Sequence, residues 1–398
     1  MVGSYEHNLM CLSVILGGAS EAVFQRIFHF QAHALSIKSI DIAKRYLVTG
    51  SNDEHIKIYD LQKRKELGDL LGHQGTITAL KFSNEGVIDQ DSTDKSGKWL
   101  LSGSEDGKII IWRTKDWEMF GTLKGHQGQV NDIAIHPSGR VAISVSEDQT
   151  IRLWNLMTVK KAAVLKIKGR DHLGEKGEFV RWSLDGNYFI VGLLNQILVY
   201  KTSTAKIVFK MKFPSTLMSL KVLKVNNKEY VVTGLGNGLI QFYDYEEQIL
   251  KSTLEDEKVW EAKAEVVEPE FQLRGHTNRI KDLSYYNHPI ETNGTPYLVS
   301  VGSDSRIVIW DLSEGVKDQV AVYDTGERLN CVVTCAETVE KSSTMKRRFN
   351  SLEEMNGEEA GFSESEYETD GEEIKKIMMP KKKGKKNKNK NKVQVTLE

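Results

Sequence analysis

The residue types in this chain that could do chemistry are a hydroxyl residue, a histidine and an aspartate, and they recur together. A Ser or Thr stands four positions before an Asp in Thr49/Asp53, Ser102/Asp106, Ser144/Asp148 and Ser300/Asp304. Upstream of each pair lies a His: His33, His73, His126 and His276, the last three preceded by Gly. In a single site this trio would suggest a nucleophile, its general base and the group that orients the base. The repetition argues otherwise, because a catalytic site is built once. Each set also has an aromatic six residues after the Asp: Tyr59, Trp112, Trp154 and Trp310. Imidazole, hydroxyl, carboxylate and ring N–H suit a buried polar network in which every member has a partner. The trio is therefore read as structural.

The elements that must position it follow one grammar. In residues 100–113, LLSGSEDGKIIIWR, an apolar run ending in a hydroxyl residue enters a tight turn, and a second apolar run leaves it. Residues 47–60, 143–155 and 298–311 repeat the pattern. This resembles the WD-repeat family, whose repeats each form one four-stranded blade of a β-propeller. One blade cannot bury both of its faces, so blades must stack around a channel. The resemblance implies that His, hydroxyl, Asp and aromatic residue form a hydrogen-bond chain inside each blade. The expected fold is all-β: a seven-bladed WD-repeat β-propeller over residues 1–338 with a disordered charged tail over 339–398. Seven blades of about 45 residues need about 315 residues.

An open ring would expose a sheet edge, so the run 5–16 is expected to share a blade with 328–335. The first blade is expected over 24–70, with strands near 37–40, 46–49 and 56–59. The second covers 72–123 and carries a polar surface loop at 84–97. The third, 125–166, is the most regular. The fourth is degenerate: Asn195 replaces the Asp, Val191 the hydroxyl, Tyr200 comes one residue early, and His172 stands where the histidine belongs. The fifth, 219–244, keeps Thr233, Asn237 and Tyr243 but has no Gly-His. Residues 251–270 read as an exposed insertion with a helical turn, after which 271–273 resume the outer strand. The sixth blade covers 275–312, and its outer strand lies near 319–323.

Net charge is −1 and 39% of residues are hydrophobic, an ordinary soluble composition. Cys11, Cys331 and Cys335 have no metal spacing and are expected as reduced thiols, the last two on one strand face and too far apart to bridge. There is no signal-peptide pattern and no long apolar run, so an intracellular protein away from membranes is expected. No P-loop, HExxH or dinucleotide fingerprint is present, so neither an enzyme nor a cofactor nor a catalytic metal is expected.

Residues 72–82, 128–156 and 328–335, with the weak middle blades and the Lys-rich end, are similar to one branch of the class, the p21-activated-kinase-interacting proteins. That resemblance implies a non-enzymatic nucleolar scaffold on precursor particles of the large (60S) ribosomal subunit. Its partners would be assembly factors and ribosomal proteins. The other function it implies is a signalling adaptor that restrains a p21-activated kinase. The family's turns between second and third strands belong to its binding rim, and there Glu54, Glu105 and Glu147 are free to face outward. An acidic rim attracts basic protein segments.

The C-terminal stretch segregates its charge, acidic over 353–373 and basic over 375–392. Such blocks cannot bury enough apolar surface to fold. Lys381, Lys382, Lys383, Lys385 and Lys386 suit a nuclear import receptor. The whole basic block suits contact with precursor rRNA phosphates without sequence readout. Ser363, Ser365 and Thr369 precede acidic residues, as acidophilic kinases require. A Lys-rich end favours the nuclear, nucleolar reading over the cytoplasmic adaptor.

Overall fold

The structure is a computed structural model of the chain and describes residues 1–16, 22–84, 95–167, 174–251, 259, 263–288 and 294–336. His172, residues 85–94 and the charged stretch from 339 onward lie outside these, as do Lys381, Lys382, Lys383, Lys385, Lys386, Ser363, Ser365 and Thr369. The described residues belong to one compact unit, Met1–Ser342.

Short runs rich in β-branched and aromatic residues, separated by Gly, Asp and Asn turns, form antiparallel strands with one residue in two facing each neighbouring layer. They assemble into seven four-stranded sheets. The first sheet runs Ile37–Ala43, Tyr46–Ser51, Ile56–Asp60 and Lys65–Leu70 from inside to outside. The second begins at Ile77–Phe82, the third at Val130–Ile135, the fourth at Phe179–Trp182, the fifth at Leu217–Val225 and the sixth at Ile280–His288. The fold is the expected seven-bladed propeller.

The seventh blade joins the two ends of the described chain. Its order is Leu329–Val332, Val2–Ser4, Asn8–Ile15 and Val23–Gln31. Residues 5–16 therefore do not pair directly with the C-terminal strand. Val2–Ser4 does, with Val2 opposite Val332 and Gly3 opposite Cys331. Tyr5 begins the turn into the next strand, and Phe24 belongs to this blade rather than to the first. The two runs do share one blade, in which the apolar run that dominates the N-terminal end, Asn8–Ile15, is the third strand and not the second. Three strands from the N-terminal end and one from the C-terminal end make this blade. Gly3 is required where it stands: a Cβ there would lie 2.7 Å from Ile37 Cγ2 and 2.8 Å from Cys331 Sγ. Cys335 lies beyond the closing strand, and all three cysteines are free thiols.

The core is a set of layers between blades. Val48, Ile56 and Ile58 of the first blade meet Ile77, Leu80 and Trp112 of the second. Leu9 and Cys331 of the seventh meet Ile37, Ile42 and Leu47 of the first. Each fully buried Leu or Ile contributes roughly 1.5–3 kcal/mol. The largest layer among the described residues lies between the degenerate fourth and fifth blades, where Phe209, Met211, Phe213, Tyr243, Tyr245 and Ile249 gather. Apolar packing is most extensive where the polar networks are missing.

The insertion is not simply an exposed loop. A π-helical turn, Tyr245–Leu250, precedes it and buries Tyr245 and Ile249. Its far end is anchored to the fourth blade, with Glu265 bridged to Met211 and the Lys212 N–H donating to the Glu265 carbonyl at 2.8 Å. Phe271–Arg274 then completes the fifth blade.

Candidate partner-binding face and channel

The four repeat sets are assembled as networks. In the third blade the His126 Nδ1–H donates to Asp148 Oδ2 at 3.0 Å, and Nε2 lies 2.7 Å from Ser144 Oγ. Trp154 Nε1 donates to the same oxygen at 2.8 Å. Ser144 therefore gives its proton to the imidazole and accepts the indole's, which fixes the histidine as the neutral tautomer. His73, Ser102, Asp106 and Trp112 repeat this in the second blade, and His276, Ser300, Asp304 and Trp310 in the sixth. In the first blade His33 joins Asp53 at 2.9 Å and Thr49 at 2.8 Å, while Tyr59 has no indole N–H to offer. Each carboxylate also takes backbone N–H groups from two loops, Gln127 at 3.0 Å and Thr150 at 3.0 Å for Asp148. The network thus ties the loop entering a blade to the turn between its second and third strands.

Ser102, Ser144 and Ser300 are fully buried. No substrate can reach them, so the arrangement holds loops and performs no acyl chemistry. Burial, against the pull of the paired aspartates, keeps all four histidines below their usual value. Burial pushes the Asp148 carboxyl up, but the Thr150 hydroxyl, the Gln127 N–H and His126 outweigh it and bring it to about 2.

The weak blades lack this device. Val191 fills the hydroxyl position as buried apolar surface, and Tyr200 stacks on Phe189 at 4.9 Å. In the fifth blade Thr233 and Tyr243 keep the spacing of the pattern but are not linked. Tyr243 donates to Gln241 Oε1 at 2.9 Å instead, and Thr233 Oγ1 is buried without a partner among the described residues.

Glu54, Glu105 and Glu147 are exposed on the turns that the networks hold. Glu147 is not free, because Lys176 pairs with it at 3.0 Å. Nor is the whole rim acidic. Arg279 and Arg328 stand on the loop facing that turn in the sixth and seventh blades, where Gln129 stands in the third: their carbonyls accept from Ser303 and Tyr5 as the Gln129 carbonyl accepts from Glu147. Partial burial, followed by the fields of Arg279, Lys38 and Arg328, pushes the Lys281 ammonium down. Glu54 and Glu105 give this face acidic groups at the first two blades, and Arg279 and Arg328 give it basic ones at the sixth and seventh.

Sequence reasoning missed the channel. The innermost strands carry Lys38, Lys81, Arg181, Lys221 and Lys281, and these line it. The signal was present: a lone basic residue interrupts each of the apolar runs IKSI, LKF, VRW, SLKV and IKDL. Three aspartates of the same strands act as staples between blades. Asp41 Oδ2 accepts from Phe82 N–H at 2.7 Å, Asp132 from Val180 at 3.1 Å and Asp282 from Val332 at 3.1 Å.

Seven four-stranded blades, four of them tied by a His–hydroxyl–Asp network, define a WD-repeat β-propeller. The family described as WD domain, G-beta repeat matches residues 24–60, 64–113, 117–155 and 267–311. Protein MAK11 of Saccharomyces cerevisiae is 48% identical over 96% of this chain and 92% of its own length. The p21-activated protein kinase-interacting protein 1-like proteins of Xenopus laevis and Gallus gallus are 34% and 32% identical, over 83% and 80% of this chain and 80% and 75% of theirs. The chain belongs to the WD-repeat family that contains MAK11 and the p21-activated protein kinase-interacting protein 1-like proteins.

Proposed function

We propose that this protein is a non-catalytic scaffold in assembly of the large ribosomal subunit, acting on precursor particles in the nucleolus. The observation that carries the reading is the divided charge of one rigid face. Its acidic sector, with Glu54 and Glu105, suits the basic extensions of ribosomal proteins, and its basic sector, with Arg279, Lys281 and Arg328, suits RNA phosphates. A ribonucleoprotein particle offers both. Family membership and the resemblance described above support the same direction. The basic block 375–392 would add import and non-specific contact with precursor rRNA.

The second reading is an adaptor for a p21-activated kinase, favoured by the names of the frog and chicken relatives. Affinity purification at low and then high salt separates the two. Precursor rRNA with large-subunit assembly factors in the eluate is the expected result; a kinase without RNA would overturn it. Truncation after Gly371 should lower nuclear accumulation and make particle association more salt-sensitive. Unchanged nucleolar location and unchanged co-sedimentation would remove the role given to the basic block.

A further inference from the structure

Among the described residues, the cations that line the channel outnumber its carboxylates. Its lining carries Lys38, Lys81, Lys95, Arg181, Lys221 and Lys281 against Asp41, Asp132 and Asp282, around a cavity of 340 Å³. Each aspartate is already matched by one cation: Asp41 by Lys95, Asp132 by Arg181, and Asp282 by Lys221 at 3.4 Å. Lys38, Lys81 and Lys281 are left over, with no ion pair among the described residues. Lys81 stands at the register of Arg181 and Lys221, since Lys81, Arg181 and Lys221 lie opposite Leu101, Ile190 and Val232 of their second strands. Three blades therefore aim a cation at one level of the channel, and Lys38 and Lys281 form a second tier toward the rim.

A partly buried ammonium without an ion-pair partner is costly. Burial, followed by the fields of Arg181 and Lys221, pushes Lys81 down to about 8 against the pull of Asp132 and Asp41. Apolar residues would fill this space at lower cost, so the arrangement fits an anion that supplies the missing charge. One feature narrows its chemistry. Three uncompensated lysines in two tiers call for several charges on one compact molecule, which a single carboxylate does not carry. Of the rings that line the cavity, Phe82 and Trp182 are buried in blade packing, while Phe179 and Tyr285 are half-buried. The volume falls within the range of small-molecule sites, about 300–1,000 Å³.

We propose that the central channel is a binding site for a small, multiply phosphorylated metabolite, held by Lys81 with Arg181 and Lys221 and entered past Lys38 and Lys281. The inference does not rest on the ribosomal reading, because RNA at the basic rim needs no contact with Lys81.

The test is thermal unfolding of the full chain with inositol hexakisphosphate, tripolyphosphate, sulfate or a single-stranded RNA oligonucleotide. The natural chain is compared with Lys81→Met and with Lys65→Met, a control on an exposed outer strand. All three proteins carry the same basic stretch 375–392, so a difference between them reports the propeller. Lys81→Met removes an unpaired enclosed charge and should fold at least as well as the natural chain. Either polyphosphate should raise the midpoint of the natural chain and of Lys65→Met saturably. Lys81→Met should need at least ~10-fold more ligand for the same rise, the effect of losing one charge-assisted contact. Equal shifts in Lys81→Met and the natural chain would overturn the proposal. So would no shift by either polyphosphate at millimolar concentration, or sulfate shifting the midpoint as effectively as they do. RNA shifting the midpoint in a Lys81-dependent way while polyphosphates do not would make this a nucleic-acid channel and equally overturn it.

Discussion

Asp132 in the innermost strand of the third blade accepts the backbone N–H of Val180 in the fourth, at 3.1 Å. The Arg181 guanidinium donates to that same oxygen from the channel, and the other oxygen accepts the N–H of Ile133 at 2.9 Å. One buried carboxylate thus joins a regular blade to a degenerate one that has no network of its own. Asp132→Ala leaves Arg181 and two N–H groups without this partner and should cost about 3–5 kcal/mol, as one-sided loss of a buried pair does. Asp132→Asn keeps an acceptor and should cost less. Urea denaturation measures both, and equal stability of Asp132→Ala and the natural chain would remove the staple from the argument.

The repeat aspartates should behave unlike the residue at the matching place in the fourth blade. Asp148→Ala removes the acceptor of His126 and of two backbone groups, a loss of about 1–3 kcal/mol or more. Asn195 Oδ1 is buried with no hydrogen-bond partner among the described residues, so Asn195→Ala should be close to neutral. The two denaturation midpoints, measured side by side, decide the point. If Asp148→Ala is stable and only a binding activity is lost, these networks are functional sites and not ties.

The closing blade depends on its N-terminal strands. Removing residues 1–18 deletes Val2–Ser4 and Asn8–Ile15, two of the four strands, and uncovers Ile37 and Leu329. A melt like that of the intact chain would contradict this. The milder Gly3→Val introduces atoms where a Cβ alone already meets Ile37 and Cys331 and should cost about 1–3 kcal/mol by overpacking.

Acid should weaken the propeller in two steps. His33, His73, His126 and His276 sit below the ordinary value of 6.5, chiefly through burial. Between their folded values and 6.5 the unfolded chain binds more protons, so stability falls as pH drops through that window and is complete above it. Asp53, Asp106, Asp148 and Asp304 are held below 3.8, with Asp148 near 2, and add a second decline below that value. Urea midpoints at pH 7.5, 6 and 5 test the first step. A flat profile over that range would mean that the histidines titrate alike in both states.

Much of this protein was legible in its sequence because local chemistry repeats. The spacing Ser102–Asp106–Trp112 and its copies sit on paired strands whose register is set by one tight turn. Recognising the pattern therefore gave the blade, the network and the count of seven. Where that local pattern faded, so did the reading. The Thr233–Tyr243 link looked intact by spacing, yet the tyrosine chose Gln241, a choice made by side-chain packing.

Tertiary structure alone decided what lies between blades. Which strand pairs with Leu329–Val332 depends on how two distant ends meet, and no local preference distinguishes Val2–Ser4 from Asn8–Ile15 for that place. The staples Asp41–Phe82, Asp132–Val180 and Asp282–Val332 cross 41, 48 and 50 residues. Lys81, Arg181 and Lys221 look like unrelated interruptions of apolar runs until the ring closes and turns them toward one axis. Charges on separate blades gain a common field only through that closure, because Coulomb interaction depends on distance in space and on the dielectric of the enclosure, and sequence separation carries neither.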